Sequence, residues 1–354
     1  MMNQPLVVVA MSGGVDSSVA AGLLVEKGYR VIGMMLRLWS EAGQEEQNKC
    51  CTPDSVAQAR RVCAILDIPF YVIDAQEIFR SIVVEAFLDG YRSGETPNPC
   101  VVCNRFIRWE YLLEQAKSIG AEKMATGHYA RVEEKGGHHF LRKGVDGQKD
   151  QSYVLSRLTQ SQLAYSLFPL GDLTKPEVRA HARRLGLPVA ERAESQDLCF
   201  LADGDYRSFL RRYAPETSQP GHIVNVQGEV IGTHDGLAFY TIGQRKGIGI
   251  AAAEPMYVIR KDYRLNQLVV GYKRELGSHR FRVVDLNWIG KEKPRGSVRA
   301  DVKIRYKALP RAGAVRERQP RPRLLGAGSP ARGRQGRGAH PPQGHAPRRG
   351  PRPG

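Results

Sequence analysis

Residues Ala10 to Ser18 read Ala-Met-Ser-Gly-Gly-Val-Asp-Ser-Ser and directly follow the apolar run Leu6-Val7-Val8-Val9. A β-branched strand thus runs into a short turn, and a helix opens at Val19-Ala20-Ala21. Gly13 and Gly14 lack a Cβ, so the backbone can take unusual dihedrals and approach a ligand closely. Ser12, Ser17 and Ser18 add hydroxyl donors, and the helix start offers unpaired N–H groups and a positive dipole end. Together these groups make a cradle for pyrophosphate. The Gly-Lys-Ser/Thr ending of a Walker loop is absent. Asp16 either orients the loop or helps to hold magnesium, and the residue order leaves both open. The plainer alternative is a Gly-Ser turn between strand and helix.

Sulfur is the second source of chemistry. The cysteines are Cys50, Cys51, Cys63, Cys100, Cys103 and Cys199. Thr96-Pro97-Asn98-Pro99-Cys100-Val101-Val102-Cys103-Asn104 is a stiff loop, because its prolines fix their own φ and bias their predecessors toward extended backbone. Asn104 is placed to cap a helix from about Arg108, which puts Cys103 near a helix start with Arg105 and Arg108 close by. A positive dipole and cations raise the thiolate fraction. Cys199 stands far along the chain in Glu194-Ser195-Gln196-Asp197-Leu198-Cys199-Phe200. Two separated thiols beside a phosphate cradle suggest sulfur transfer: one carries a persulfide, and the other attacks it and leaves a disulfide. Two metal readings compete. Cys100-x-x-Cys103 alone is half a zinc site with no second half at finger spacing. Cys100, Cys103 and Cys199 as three corners of an iron–sulfur cluster remain open. Cys63 lies inside a helical pattern and reads as a buried apolar residue. Cys50-Cys51 reads as a loop pair.

These groups need a frame. Strands are predicted at Leu6-Ala10, Arg30-Leu36, Phe70-Ile73 and Lys123-Thr126, and helices at Ser18-Lys27, Pro53-Leu66, Ile78-Leu88, Arg108-Ile119 and Lys175-Leu185. Thr52 is placed to cap the second helix, with Pro53 in its first turn. The alternation implies a doubly wound, mostly parallel α/β sheet covered on both faces. Ligands then bind beyond the carboxyl ends of the strands, where the Ser-Gly-Gly loop sits. From about Asp203 a short helix, Asp205-Tyr213, gives way to β-branched segments at 221–224, 229–232, 256–259 and 267–271. These predict a small domain of antiparallel strands. Phe281-Trp288 and Ser297-Tyr306 read as the start of a C-terminal β-barrel.

The 354 residues are 42% hydrophobic, enough for a real core, and the formal charge is +17. Of that charge +10 falls after Leu309, where Arg, Pro and Gly dominate, so the body is only moderately basic. Such a body suits RNA without requiring it. The tail buries too little apolar area to offset its ordering entropy. It reads as a disordered basic arm or as the product of a frame-shift. No stretch has membrane-spanning length and no signal peptide is recognisable, so a cytoplasmic protein with no membrane partner is expected.

The Ser-Gly-Gly-x-Asp-Ser loop looks like that of enzymes that cleave ATP between the α and β phosphates and adenylate a substrate. With Thr-Pro-Asn-Pro-x-x-x-Cys-Asn, Ser-Gln-Asp-Leu-Cys-Phe, Ala125-Thr126-Gly127-His128-Tyr129-Ala130, Lys149-Asp150-Gln151-Ser152-Tyr153, Thr241-Ile242-Gly243-Gln244-Arg245-Lys246-Gly247 and Lys303-Ile304-Arg305-Tyr306, the chain resembles the tRNA-specific 2-thiouridylases from about residue 6 to 308. The resemblance implies an adenine nucleotide α-hydrolase-like catalytic domain (1–202), a central β-rich domain (203–275), the start of a C-terminal barrel (276–308) and the tail (309–354). It implies 2-thiolation of the wobble uridine of tRNA, with adenylation of the uracil C2 oxygen by ATP and magnesium and a sulfur-donor protein as partner. Ala10, Met11, Ser12, Gly13, Gly14, Val15, Asp16 and Ser17 would bind ATP phosphates. Leu36 would meet adenine through its backbone, and Gly127 would touch the nucleotide. Asn98, Pro99 and Cys100 would contact the target base, and His128, Lys149, Asp150, Gln151, Arg305 and Tyr306 the tRNA. Cys103 would be the nucleophile and Cys199 the persulfide carrier, joined in a transient disulfide. Two departures stand out. Cys100 replaces the Asp of some members, which keeps the iron–sulfur alternative alive. The family's C-terminal Gly-Gln tRNA contact has no counterpart here.

Overall fold

The computed structural model describes residues 4–41, 52–193, 198–201, 204–290, 293–305 and 308–316. Cys50, Cys51, Ser195-Gln196-Asp197, Tyr306 and the chain after Arg316 lie outside the described residues. The chain divides into two units, Met1–Pro294 and Arg295–Gly354.

The first unit is built on a five-stranded sheet with the order β3-β2-β1-β4-β7. Its strands are β1 (Leu6–Ala10), β2 (Arg30–Arg37), β3 (Phe70–Asp74), β4 (Lys123–Ala125) and β7 (Ser166–Leu167), and every pairing among them is parallel. The central strand β1 shows why. Val7, Val8 and Val9 are fully buried, so both faces must be covered. Leu6 and Val8 face one cluster, and Val7 and Val9 the other. The second cluster is roofed by α1 (Val15–Glu26), α2 (Pro53–Ile65) and α6 (Lys175–Arg184) through Val19, Val62 and Val178. The first is roofed by two longer helical runs, α3 over 76–92 and α4 over 99–118, through Phe79, Phe87, Ile107 and Leu112. Each run contains a wide π-type stretch, Arg80–Val84 in α3 and Cys103–Leu112 in α4. Between β4 and β7 lie a hairpin of β5 (Ala130–Lys135) and β6 (His138–Lys143) and a short helix, α5 (Gln160–Ala164).

Helices α1 and α4 start earlier than the sequence pattern predicts. Helix α1 begins at Val15 because Gly14 takes an extended conformation and the Ser18 amide and both following hydroxyls fold back on its carbonyl (Ser18 N, 3.3 Å; Ser18 Oγ, 2.8 Å; Ser17 Oγ, 3.3 Å). Helix α4 begins at Pro99, not near Arg108. Asn98 Oδ1 accepts from the Cys100 amide (3.1 Å), and Pro99 fills the first helical position, where an N–H is not needed. Asn104 is therefore no cap; it is buried within the helix and donates to the Val154 carbonyl (3.3 Å). Thr52 does cap α2, accepting from the Ser55 amide at 3.0 Å.

Helix α7 (Tyr206–Tyr213) leads to a second sheet of order β10-β11-β8-β9, made of β8 (Gly221–Val224), β9 (Val230–His234), β10 (Met256–Asp262) and β11 (Gln267–Tyr272). Its outer pairings are antiparallel as expected, but β11 pairs with β8 in parallel. Phe281–Trp288 forms no strand; Phe281, Val283, Val284 and Leu286 are exposed there. In the second unit β12 (Ser297–Val302) pairs antiparallel with β13 (Arg311–Arg316). Strand β13 falls inside the segment whose composition reads as tail. Its Ala-Gly-Ala centre carries no aliphatic signal, and the ladder with β12 supplies the order.

Candidate active site

The carboxyl ends of β1 and β4 and the N-termini of α1, α2 and α6 converge around the Ser-Gly-Gly loop. Ser12 anchors it: its amide donates to Ser17 Oγ (3.1 Å) and the two hydroxyls share a hydrogen bond of 3.1 Å. Gly13 has φ +72°, and a Cβ there would overlap the backbone carbonyl of Ser55 in the first turn of α2. Gly127, just past β4, lies so close to α1 that a Cβ would come within 2.7 Å of the Ser17 nitrogen. The loop is thus pinned from two sides, with the first-turn amides of α1 directed at the space a phosphate would take. Ala10 ends β1, and the Met11 amide donates to the Met34 carbonyl (2.7 Å), which fixes the loop against β2. Val15 and Met11 are buried behind it. Leu36 lies at the end of β2 with its side chain in the core, leaving backbone for any contact.

Asp16 is held by partners that sequence reasoning missed. Tyr129 Oη donates to its Oδ1 (2.8 Å), and Lys175 Nζ reaches both carboxylate oxygens (2.7 and 3.0 Å). The Lys175 side chain is only 10% exposed. The carboxylate therefore orients the loop through an ion pair. Among the described residues, no three His, Cys, Asp or Glu side chains gather to hold a metal ion. Cys100, Cys103 and Cys199 are thus not gathered as cluster ligands among the described residues, and Asp16 belongs to no such group.

The thiols differ in setting. Cys103 is buried, Cys100 exposed and Cys199 half-buried. Cys103 belongs to the core cluster under α3 and α4, and Cys199 packs against that same cluster. Phe200 anchors the Cys199 segment among Phe79, Phe87 and Phe209, with ring centroids 5.2–5.9 Å away. The Cys103 segment is tied to the loop. Asn104 bonds to Val154; Gln151 exchanges hydrogen bonds with Tyr129 (2.9 and 3.1 Å); and Tyr129 bonds to Asp16. From the other side Arg192 donates to Ser55 Oγ (3.2 Å), next to the carbonyl that faces Gly13. Cys63 is remote chemistry: it is buried in α2, and burial pushes its thiol up to about 11.

The remaining expected contacts divide into loop-builders and open groups. His128 is buried, hydrogen-bonded through Nδ1 to Thr126 Oγ1 (2.7 Å) and packed near Trp109 and Phe168. Burial, with Arg108's charge second, pushes it down to about 3, so it is neutral at physiological pH. Asp150 is buried and accepts from the Gly144 and Ser152 amides (3.2 Å each). Lys149 lines a cavity of about 430 Å³ with Lys175, Arg179 and Arg183. Asn98 caps α4, Pro99 is buried, and Cys100 faces solvent beside them. Arg245, Lys246 and Gly247 border a second cavity of about 620 Å³ in the central domain. Arg305 is exposed in the second unit.

Comparison with known proteins follows the same division of the chain. A family model described as the tRNA methyl transferase HUP domain matches residues 5–203, and one described as the tRNA methyl transferase PRC-barrel domain matches residues 207–272. The tRNA-specific 2-thiouridylase MnmA of Heliobacterium modesticaldum is 47% identical over 313 residues, which is 87% of this chain and 81% of that protein. The namesake of Chloroflexus aurantiacus is 47% identical over 321 residues, 90% of this chain and 89% of its own. That of Moorella thermoacetica is 48% identical over 311 residues, 87% of each. No described helix is long and apolar enough to cross a membrane. With such identity sustained over most of its length, the chain belongs to the tRNA-specific 2-thiouridylase family.

Proposed function

We propose that this chain is an ATP-dependent tRNA-uridine 2-sulfurtransferase acting on the wobble uridine in the cytoplasm. The observation that carries the reading is the phosphate cradle between β1 and α1, tied by hydrogen bonds to the segments bearing Cys103 and leading to Cys199. A uracil C2 oxygen leaves badly. In the first step that oxygen attacks the α-phosphorus of ATP, pyrophosphate departs, and the oxygen becomes part of an AMP leaving group. In the second, the outer sulfur of a Cys199 persulfide attacks C2 and expels AMP. The Cys103 thiolate then attacks Cys199 Sγ. The S–S bond to the transferred sulfur breaks, its electron pair leaves that sulfur on C2 as the thiocarbonyl, and a Cys103–Cys199 disulfide remains. A thiol reductant restores the cysteines, and a persulfide-bearing donor protein reloads Cys199.

Loop residues 10–17 hold the triphosphate, Leu36 the adenine through its backbone, and Gly127 the close approach to the nucleotide. Magnesium enters as the ATP chelate, bound by phosphate oxygens and water, as that ion prefers. Asn98, Pro99 and Cys100 face the extruded base, which an anticodon loop gives up cheaply. Lys149, Arg305 and Tyr306 meet phosphates. His128, Asp150 and Gln151 act by fixing the loops behind them, since their side chains are engaged within the protein.

The test is mass spectrometry of tRNA incubated with the chain, ATP, magnesium and a persulfide donor. The expected product gains the mass difference between sulfur and oxygen at the wobble uridine. Cys103→Ala and Cys199→Ala each abolish that gain while AMP formation persists. Thiolation that survives either substitution refutes the cysteine roles. AMP release without thiolation in the unmodified chain points to an adenylating synthetase of the same loop class.

A further inference from the structure

We propose that Cys100 is a further catalytic residue, the resolving thiol of the sulfur-transfer cycle: it attacks Cys103 Sγ in the Cys103–Cys199 disulfide, takes over the bond and releases Cys199 for reloading. This step rests on the sulfurtransferase reading proposed for the chain.

Burial separates the three sulfurs. Cys103 is only 9% exposed and belongs to the core cluster, and Cys199 packs against that cluster. A bond between these two offers a reductant little access. Cys100, by contrast, is exposed. Spacing then joins the outer thiol to the inner one. Cys100 and Cys103 stand three positions apart in α4, which runs unbroken from Pro99 past Cys103. Side chains at that interval share a helix face, with Cβ atoms about 5–6 Å apart. A disulfide needs about 4 Å, so closing it tightens the first turn. A bond that is both strained and exposed is readily reduced, as a relay requires. The helix start sets the direction of attack. Cys100 is the second residue of α4, its amide held by Asn98 Oδ1 (3.1 Å), and the positive end of a long helix favours a thiolate there. The exposed sulfur is therefore the nucleophile, and the buried one is the sulfur it attacks.

The exchange balances without an oxidant. Cys100 gives its proton to solvent, and its sulfur forms a bond to Cys103 Sγ. The Cys103–Cys199 bond breaks, and its electron pair stays on Cys199 as a thiolate. The disulfide is passed on, with no net oxidation or reduction. Cys199 then takes the next sulfur from the persulfide donor. A dithiol reductant in solvent supplies two electrons and two protons to the Cys100–Cys103 bond and becomes a disulfide itself.

Trypsin distinguishes the two bonds. Cleavage after Arg92 and Arg105 leaves Cys100 and Cys103 in one peptide, and cleavage after Arg192 and Arg207 leaves Cys199 in another. The full chain is reduced, loaded with a low-molecular-weight persulfide, freed of reagents without air and given tRNA, ATP and magnesium for one turnover. N-ethylmaleimide then traps the thiols, and the peptides are weighed. The expected result is thiolated tRNA, an internal disulfide in peptide 93–105 and maleimide on Cys199. Cys100→Ser is expected to lose the internal disulfide and to stop at peptide 93–105 crosslinked to peptide 193–207. In the unmodified chain, that crosslink with maleimide on Cys100 overturns the assignment. So does thiolated tRNA with neither disulfide, or an internal disulfide that forms equally without ATP. Absence of thiolated tRNA removes the sulfurtransferase reading beneath it, which is a separate result from these.

Discussion

His128 illustrates what burial does to a single side chain. The family resemblance implied a group facing RNA, whereas its side chain is packed near Trp109 and Phe168 and pushed down to about 3. Unfolded, the same imidazole titrates near 6.5, so between the two values only the unfolded chain takes up the proton. Stability is therefore complete above about pH 6.5 and falls as the pH drops toward 3, by about 2 kcal/mol at pH 5. Urea unfolding at pH 7.5 and pH 5 measures this, and His128→Gln is expected to flatten the difference; an unchanged pH dependence in that variant would assign it elsewhere. At this scale the sequence was legible where residue types form local motifs, as in Ser12 to Ser17 or the Thr52 cap. It was silent on Lys175, which meets Asp16 from 159 positions away. Nothing local in Thr-Lys-Pro-Glu hints at that meeting.

Among the elements, the strands of the parallel sheet were the easiest to read, because burial on both faces demands unbroken runs such as Leu6 to Val9. Helix starts were harder. The rigid Pro97–Pro99 stretch looked like a loop, although a proline at the first helical position opens α4. The β5–β6 hairpin turns on Gly136 and Gly137, both at positive φ, a two-glycine signal that lay among polar residues with little alternation. The apolar pattern at Phe281–Trp288 misled in the opposite direction, since alternation without a partner makes no ladder. The contact between the loop and α2 gives a prediction at this scale. Gly13→Ala must accommodate a Cβ at φ +72° and against the Ser55 carbonyl, at a cost of at least about 2 kcal/mol. The variant is expected to melt earlier and to lose ATP affinity, measured by calorimetry; full affinity would mean that the loop has another, unstrained route past α2.

For the molecule as a whole, the alternation of strand and helix patterns announced an α/β sheet and the charge distribution a moderately basic body with a strongly basic end, and the parallel sheet and the second, β-rich sheet bear out the architecture. The parallel meeting of β11 with β8 was beyond its reach, because strand direction in a small sheet is settled by connections that no local pattern encodes. The place of β1 in the middle of the first sheet has its own consequence. Its amides are sealed by β2 on one side and β4 on the other, and both of its faces are roofed. In deuterated solvent the Val7 to Val9 hydrogens are expected to be the last to exchange, at rates set by global opening, while the β5–β6 hairpin exchanges early. Equal rates in the two would deny β1 that rank. The loop that must handle a nucleotide is thus hung from the portion of the chain least inclined to breathe, and its turnover can be fast without the scaffold ever letting go.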